Sequence, residues 1–153
     1  MQVTDAAAQV VRRYEGRILI EFSHFALFDF FDYSSLSDIS TSSDSDWIGQ
    51  SGPGGAVFHA DDRNLEALVA VELWSATPPP VEDIPEYFYT GTFTCGSGKV
   101  LLTSVTGGPS TVVVDLDGPG EYHVEAARLP EVIDTLEGDE GRCEQWWIRV
   151  WRL

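Results

Sequence analysis

Ile18-Leu-Ile-Glu-Phe-Ser-His-Phe-Ala-Leu-Phe-Asp-Phe30 alternates between two sets of side chains. Ile18, Ile20, Phe22, His24, Ala26, Phe28 and Phe30 fall on one side, and Leu19, Glu21, Ser23, Phe25, Leu27 and Asp29 on the other. A period of two belongs to a strand, because successive side chains leave opposite faces. The first set is apolar apart from His24 and the second is mixed. The stretch therefore predicts one long strand, or two strands joined at a bend near His24.

Working outward, short strand signals recur at 56–60, 65–74, 87–94, 100–104, 111–116, 121–127 and 145–151. Asp61-Asp-Arg-Asn64, Cys95-Gly-Ser-Gly98, Gly107-Gly-Pro109 and Asp117-Gly-Pro-Gly120 separate them with residues that supply positive φ or a fixed proline. Pro78-Pro-Pro80 breaks the strand that ends at Trp74 and opens a linker running to Pro85. Roughly eight strands with hardly any helix indicate an all-β, single-domain antiparallel β-sandwich spanning 1–153. Thr4 or Asp5 is placed to cap a short helix through Tyr14, ended by Gly16, so 1–16 is read as a helical or extended segment. Residues 32–55 are rich in Ser, Asp and Gly and are expected to form a long loop. Residues 129–142 interrupt the strand series as an acidic insert, either a loop or a short helical turn.

The chain has 153 residues, enough for one real core, and 43% of them are hydrophobic. Its N-terminus lacks a positive segment followed by an apolar run, and no stretch approaches the roughly 20 apolar residues of a membrane helix, so a cytoplasmic protein is expected. Cys95 and Cys143 are too few for a disulfide framework and are expected to be thiols. There are 25 Asp and Glu against 9 Lys and Arg, a formal charge of -16. Between Ile18 and Ala127 lie seventeen acidic residues and two basic ones, Arg63 and Lys99. Such a field repels nucleic acid and anionic membranes and attracts basic partners, although acidity also serves solubility alone.

No catalytic motif emerges. His24, His59 and His123 sit on separate strands with no Cys or carboxylate at ligand spacing, and no Gly-x-Ser-x-Gly elbow or phosphate-binding glycine loop occurs. An enzyme, a cofactor and a metal are therefore not expected. Asp115-Leu-Asp-Gly-Pro-Gly-Glu121 keeps a calcium alternative open, with Asp115, Asp117 and Glu121 as oxygen donors, but it reads equally well as a hairpin turn. In Gln145-Trp-Trp-Ile-Arg-Val-Trp151 both faces are large: Trp146, Ile148 and Val150 on one, Trp147, Arg149 and Trp151 on the other. One face belongs in the core, and the other is either covered, by the N-terminal helix or a loop, or exposed as an interface.

Ser23-His-Phe25, Gly54-Gly-Ala-Val-Phe-His-Ala60, Leu68-Val-Ala-Val-Glu-Leu-Trp74, Val100-Leu-Leu-Thr-Ser104 and Asp115-Leu-Asp-Gly-Pro-Gly-Glu-Tyr122 follow one another in an order and spacing that resemble the competence protein J family, inhibitors of a nuclease that acts on DNA entering the cell. The resemblance runs over residues 17–127. The Ser/Asp loop at 34–46, the acidic stretch at 131–140 and the Trp-rich end depart from it. The chain also resembles small uncharacterised actinobacterial proteins with a similar aromatic last strand.

The resemblance implies a β-sandwich and an inhibitor role, and the charge agrees with the second. The function expected is that of a non-enzymatic, immunity-like inhibitor of a basic nuclease or toxin. Its contacts are expected from Asp38, Asp44 and Asp46 in the long loop and Asp61 and Asp62 at a turn, with Trp147 and Trp151 adding apolar contact if exposed. The alternatives are a structural or accessory sandwich whose acidity keeps it soluble, and a calcium-dependent binding module.

Overall fold

A computed structural model describes residues 7–31, 47–61, 66–105, 111–129, 133–134 and 142–153. Among these residues there is no helix, and eleven strands follow in order: β1 (Val10–Leu19), β2 (His24–Asp29), β3 (Gly49–Gly52), β4 (Gly55–His59), β5 (Glu66–Trp74), β6 (Tyr87–Cys95), β7 (Lys99–Ser104), β8 (Val112–Asp115), β9 (Gly120–Arg128), β10 (Ile133–Asp134) and β11 (Arg142–Arg152). One sheet runs β1-β5-β11-β9-β6, with β10 against the start of β11, and the other runs β3-β4-β2-β7-β8.

The two sheets close on a common core. Val69, Val71 and Leu73 of β5, Tyr122 and Val124 of β9, and Trp146, Ile148 and Val150 of β11 face Phe25 and Leu27 of β2, Phe58 of β4 and Leu102 of β7. Trp146 lies at the centre, edge-on to Phe25 at 5.0 Å and 5.8 Å from Phe58 between ring centroids. Its buried indole N–H donates to Glu144 Oε1 at 2.8 Å, which removes the cost of an orphan donor.

The N-terminal helix does not form. Residues 10–19 pair with β5 as an edge strand. Tyr14 and Ile18 pack inward, while Arg13 reaches Glu72 at 3.9 Å and Arg17 reaches Glu66 at 3.4 Å across the pair. Cross-strand burial and ion pairing override an alanine-rich start whose own helix nucleation is costly. Gly16, expected as a helix stop, is a close-approach residue: a Cβ there would meet Val112 Cγ2 at 2.5 Å.

The opening stretch divides into two strands, as one of its readings held, and the division changes the face that is buried. Phe22 and Ser23 both have positive φ (55° and 64°), and Glu21 and His24 exchange backbone hydrogen bonds around them. This tight turn carries the chain from one sheet to the other and shifts the parity. Ile18 and Ile20 face the core before it, but Phe25 and Leu27 face the core after it. Ala26 and Phe28 instead join a small apolar cluster with Val57 and Trp47 on the far side of the second sheet.

The arrangement is also not wholly antiparallel, because β5 and β11 run parallel. The linker 75–86 crosses the sheet from one end to the other, so β5 and β6 point the same way. β9 opposes β6 and β11 opposes β9, which leaves β11 parallel to β5. Within the expected loop at 32–55, the chain forms β3, which pairs with β4. In the 129–142 insert, Ile133 and Asp134 pair with Cys143 and Arg142 as extended chain.

Candidate partner-binding surface

The sandwich has two ends, marked by His24 and Asp29 at the two ends of β2. At the Asp29 end, Asp29 is buried and its carboxylate accepts from the backbone N–H of Phe31 (3.0 Å), Gly96 (2.8 Å) and Ser97 (3.3 Å). Burial alone pushes its pKa up, but the hydrogen bonds from Ser97, Phe31 and Gly96 outweigh burial and hold it below the ordinary carboxylate value. The carboxylate thus locks the β6–β7 turn to the end of β2. A cleft of about 430 Å³ opens beside it, lined by Phe31, Pro53, Gly54 and Thr94.

Asp115, Asp117 and Glu121 lie at this same end. They flank a turn between the two sheets, not a hairpin, since β8 and β9 belong to different sheets. Gly118 takes φ +86° there, the Tyr122 hydroxyl donates to the Gly118 carbonyl, and Arg12 approaches Asp117 at 3.9 Å. Among the described residues no group of three or more His, Cys, Asp or Glu is placed to hold a metal ion.

At the His24 end, Asp61 is half-buried and its backbone N–H donates to Glu144 Oε2 at 2.6 Å. Asp38, Asp44, Asp46 and Asp62 lie outside the described residues. Cys143 lies near the start of β11 at this end and Cys95 closes β6 at the other, so the two buried thiols stand at opposite ends of one sheet. Burial pushes both thiols up in pKa, which makes them poor nucleophiles at neutral pH.

The outer face of the first sheet is occupied by a paired network. Arg149 is 4% exposed and grips Glu125 through Nε (2.9 Å) and Nη2, while its Nη1 donates to the Pro79 carbonyl at 2.9 Å. Glu72 Oε1 accepts from the indole N–H of Trp74 (3.1 Å) and of Trp147 (2.9 Å). Arg149 also sits over the Trp147 ring at 5.0 Å. The Pro79 bond places the 75–86 linker over this face as a strap. The cover over β11 is thus the linker and not an N-terminal helix. Trp147 and Trp74 stay half-buried. Trp151 is 6% exposed and stacked on His123 at 5.1 Å, so the exposure on which its apolar contact depended is not met.

Six arginines near the chain ends are engaged internally. Arg12, Arg13, Arg17 and Arg149 meet carboxylates, Arg128 stacks on Tyr87 at 3.9 Å, and Arg152 donates to the Pro119 carbonyl. On the strap, by contrast, Glu82, Asp83 and Glu86 are exposed, and among the described residues their side chains make no ion pair or hydrogen bond. They flank Ile84, which is 68% exposed. Sequence reading treated this segment as a connection only. The available signal was an acidic and aliphatic run, bracketed by Pro80 and Pro85, with no basic residue in it.

The class defined by this geometry is, among the described residues, an all-β sandwich of a six-stranded and a five-stranded sheet, with a parallel β5–β11 pair and a proline-rich crossover strap. No family model matches the sequence, and no curated protein matches it. Among solved structures the fold is similar to that of ComJ from Bacillus subtilis, inhibitor of the DNA degrading activity of NucA. The TM-score is 0.60 at 15% identity, covering 97% of this chain and 100% of that chain. A second structure, crocagin biosynthetic gene J, gives a TM-score of 0.46 at 12% identity over 93% of this chain and 98% of that one.

Among the described residues no helix is long and apolar enough to cross a membrane.

Proposed function

We propose that this protein is a non-enzymatic inhibitor of a nuclease or nuclease-like toxin, whose basic nucleic-acid site it occupies with carboxylates. The observation that carries the reading is the fold likeness to ComJ along the whole of both chains. The charge supports it. Double-stranded DNA presents one charge per about 1.7 Å of axis, so a site built for it is cationic and open to an acidic mimic. A formal charge of -16, with Arg12, Arg17 and Arg149 engaged internally, leaves a negative field to steer such an encounter.

The contacts fall to Asp38, Asp44, Asp46, Asp61 and Asp62 at the loops, and to Glu82, Asp83 and Glu86 on the strap. Trp147 is the aromatic contact retained from the last strand. The test is to mix the protein with the nuclease encoded beside it or co-purifying with it and to follow DNA cleavage. Cleavage should stop near one equivalent, with a complex on size-exclusion. Unchanged cleavage in stoichiometric excess, with no complex, overturns the reading.

A further inference from the structure

His24 of β2 and His59 of β4 are opposite each other in the antiparallel register. The hydrogen bond from Ala60 N to the Ser23 carbonyl belongs to the neighbouring pair, which makes His24–His59 a non-hydrogen-bonded pair with its side chains close together. Their ring centroids are 5.6 Å apart at an interplanar angle of 45°. Two imidazoles on one tetrahedral ion, each with a nitrogen about 2.0–2.1 Å from the metal, place their centroids roughly 5 Å apart. The observed 5.6 Å is close to that value.

The rest of the pair's surroundings suits a ligand role. His59 Nδ1 is 3.0 Å from the Trp47 carbonyl, so it is the protonated nitrogen and leaves the Nε2 lone pair free, the arrangement in which a backbone carbonyl orients a metal-binding imidazole. Trp47 stacks on the face of His59 at 4.8 Å and 14°, and lies 5.2 Å from His24. Face stacking fixes the His59 ring without blocking its in-plane lone pair. Among the described residues, neither nitrogen of His24 is taken up by a hydrogen bond. Both rings are half-buried, which leaves them reachable by an ion and its waters.

We infer that His24 and His59 form a two-imidazole site for a borderline divalent transition metal, of the class of Zn²⁺, Ni²⁺ or Cu²⁺, completed by water. Imidazole ligands select these ions over Mg²⁺ and Ca²⁺. A bound ion staples β2 to β4 beside Trp47. The inference is independent of the nuclease reading, since neither partner nor DNA enters it.

The test uses the full tag-free chain and chelator-treated buffer, with Ni²⁺ and Zn²⁺ titrated separately by calorimetry. One ion should bind per chain at micromolar to tens of micromolar concentration and raise Tm as the ion concentration increases. His24→Gln and His59→Gln should each weaken binding at least tenfold. His123→Gln, on the other sheet, should leave it unchanged, and Ca²⁺ should show no saturable heat. Circular dichroism on each variant separates lost binding from lost fold. No saturable binding of either ion at millimolar concentration, or binding kept in both folded histidine variants, overturns the inference.

Discussion

The acids on the outer face of the first sheet and the acids on the strap that crosses it do different work. Glu72 and Glu125 are tied to tryptophan indoles and to a guanidinium. Among the described residues Glu82, Asp83 and Glu86 make no such ties, and they are exposed. A count of carboxylates merges the two groups. Only the second contributes a field that a partner can feel, because the first is compensated within a few ångströms. Acidity here is therefore partly structural, and the proposed recognition belongs to the remainder.

Mutation should separate the two groups most sharply at Arg149. Arg149→Ala leaves the Glu125 carboxylate half-buried without its guanidinium and removes the strap's bond at Pro79. A loss of about 3–5 kcal/mol is expected in urea unfolding. A loss under about 1 kcal/mol would mean that this network is ornamental and that its acids belong with the free ones. Asp29→Ala is the next largest: it leaves the N–H groups of Phe31, Gly96 and Ser97 without their acceptor, at a cost of about 1–3 kcal/mol in the same measurement.

Titration offers a second division. Asp29 has a folded pKa below its unfolded value, so its stabilisation is complete above pH 3.8 and is lost as the pH falls through the lowered folded value. His24 is also lowered from 6.5, by burial first and then by His59. The unfolded chain binds this proton more readily, so stability is retained above pH 6.5 and falls as the pH drops below it. Thermal melts from pH 7.5 to 5 in the absence of metal should show this decline, and His24→Gln should flatten it. A decline of the same size in His24→Gln assigns it to other groups.

The smallest expected effect on stability is at the strap itself. Glu82→Gln, Asp83→Asn and Glu86→Gln together should change unfolding free energy by no more than about 0.5 kcal/mol, as exposed unpaired residues do. A larger loss would mean that these side chains hold the strap down.

Much of this architecture was legible in residue patterning. Alternation in 65–74 and 145–151, with turn residues between strands, identified β5 and β11, because burial on one face imposes a period of two. Patterning failed where a tertiary event decided the outcome. The turn at Phe22 and Ser23 reversed the buried face of the second strand, and alternation carries no mark of such a reset. Residues 10–16 have no core-facing pattern strong enough to reveal an edge strand, and their fate depended on pairing with β5. Trp147 and Trp151 looked alike in sequence, yet Trp151 is buried and Trp147 only half-buried on a face the strap crosses. The ion pairs Arg13–Glu72 and Arg149–Glu125 join residues far apart in the chain, which is why these acids could not be sorted into engaged and free from sequence alone.

The division between engaged and free acids is tested most directly by stopped-flow association with the nuclease identified by the cleavage and size-exclusion test proposed above, over a series of salt concentrations, using wild type and the strap-neutralised variant. The account predicts that wild-type association slows steeply with salt while dissociation changes little, and that the variant associates more slowly at low salt with a shallower salt dependence. Equal association rates and equal salt dependence for the two proteins would contradict it.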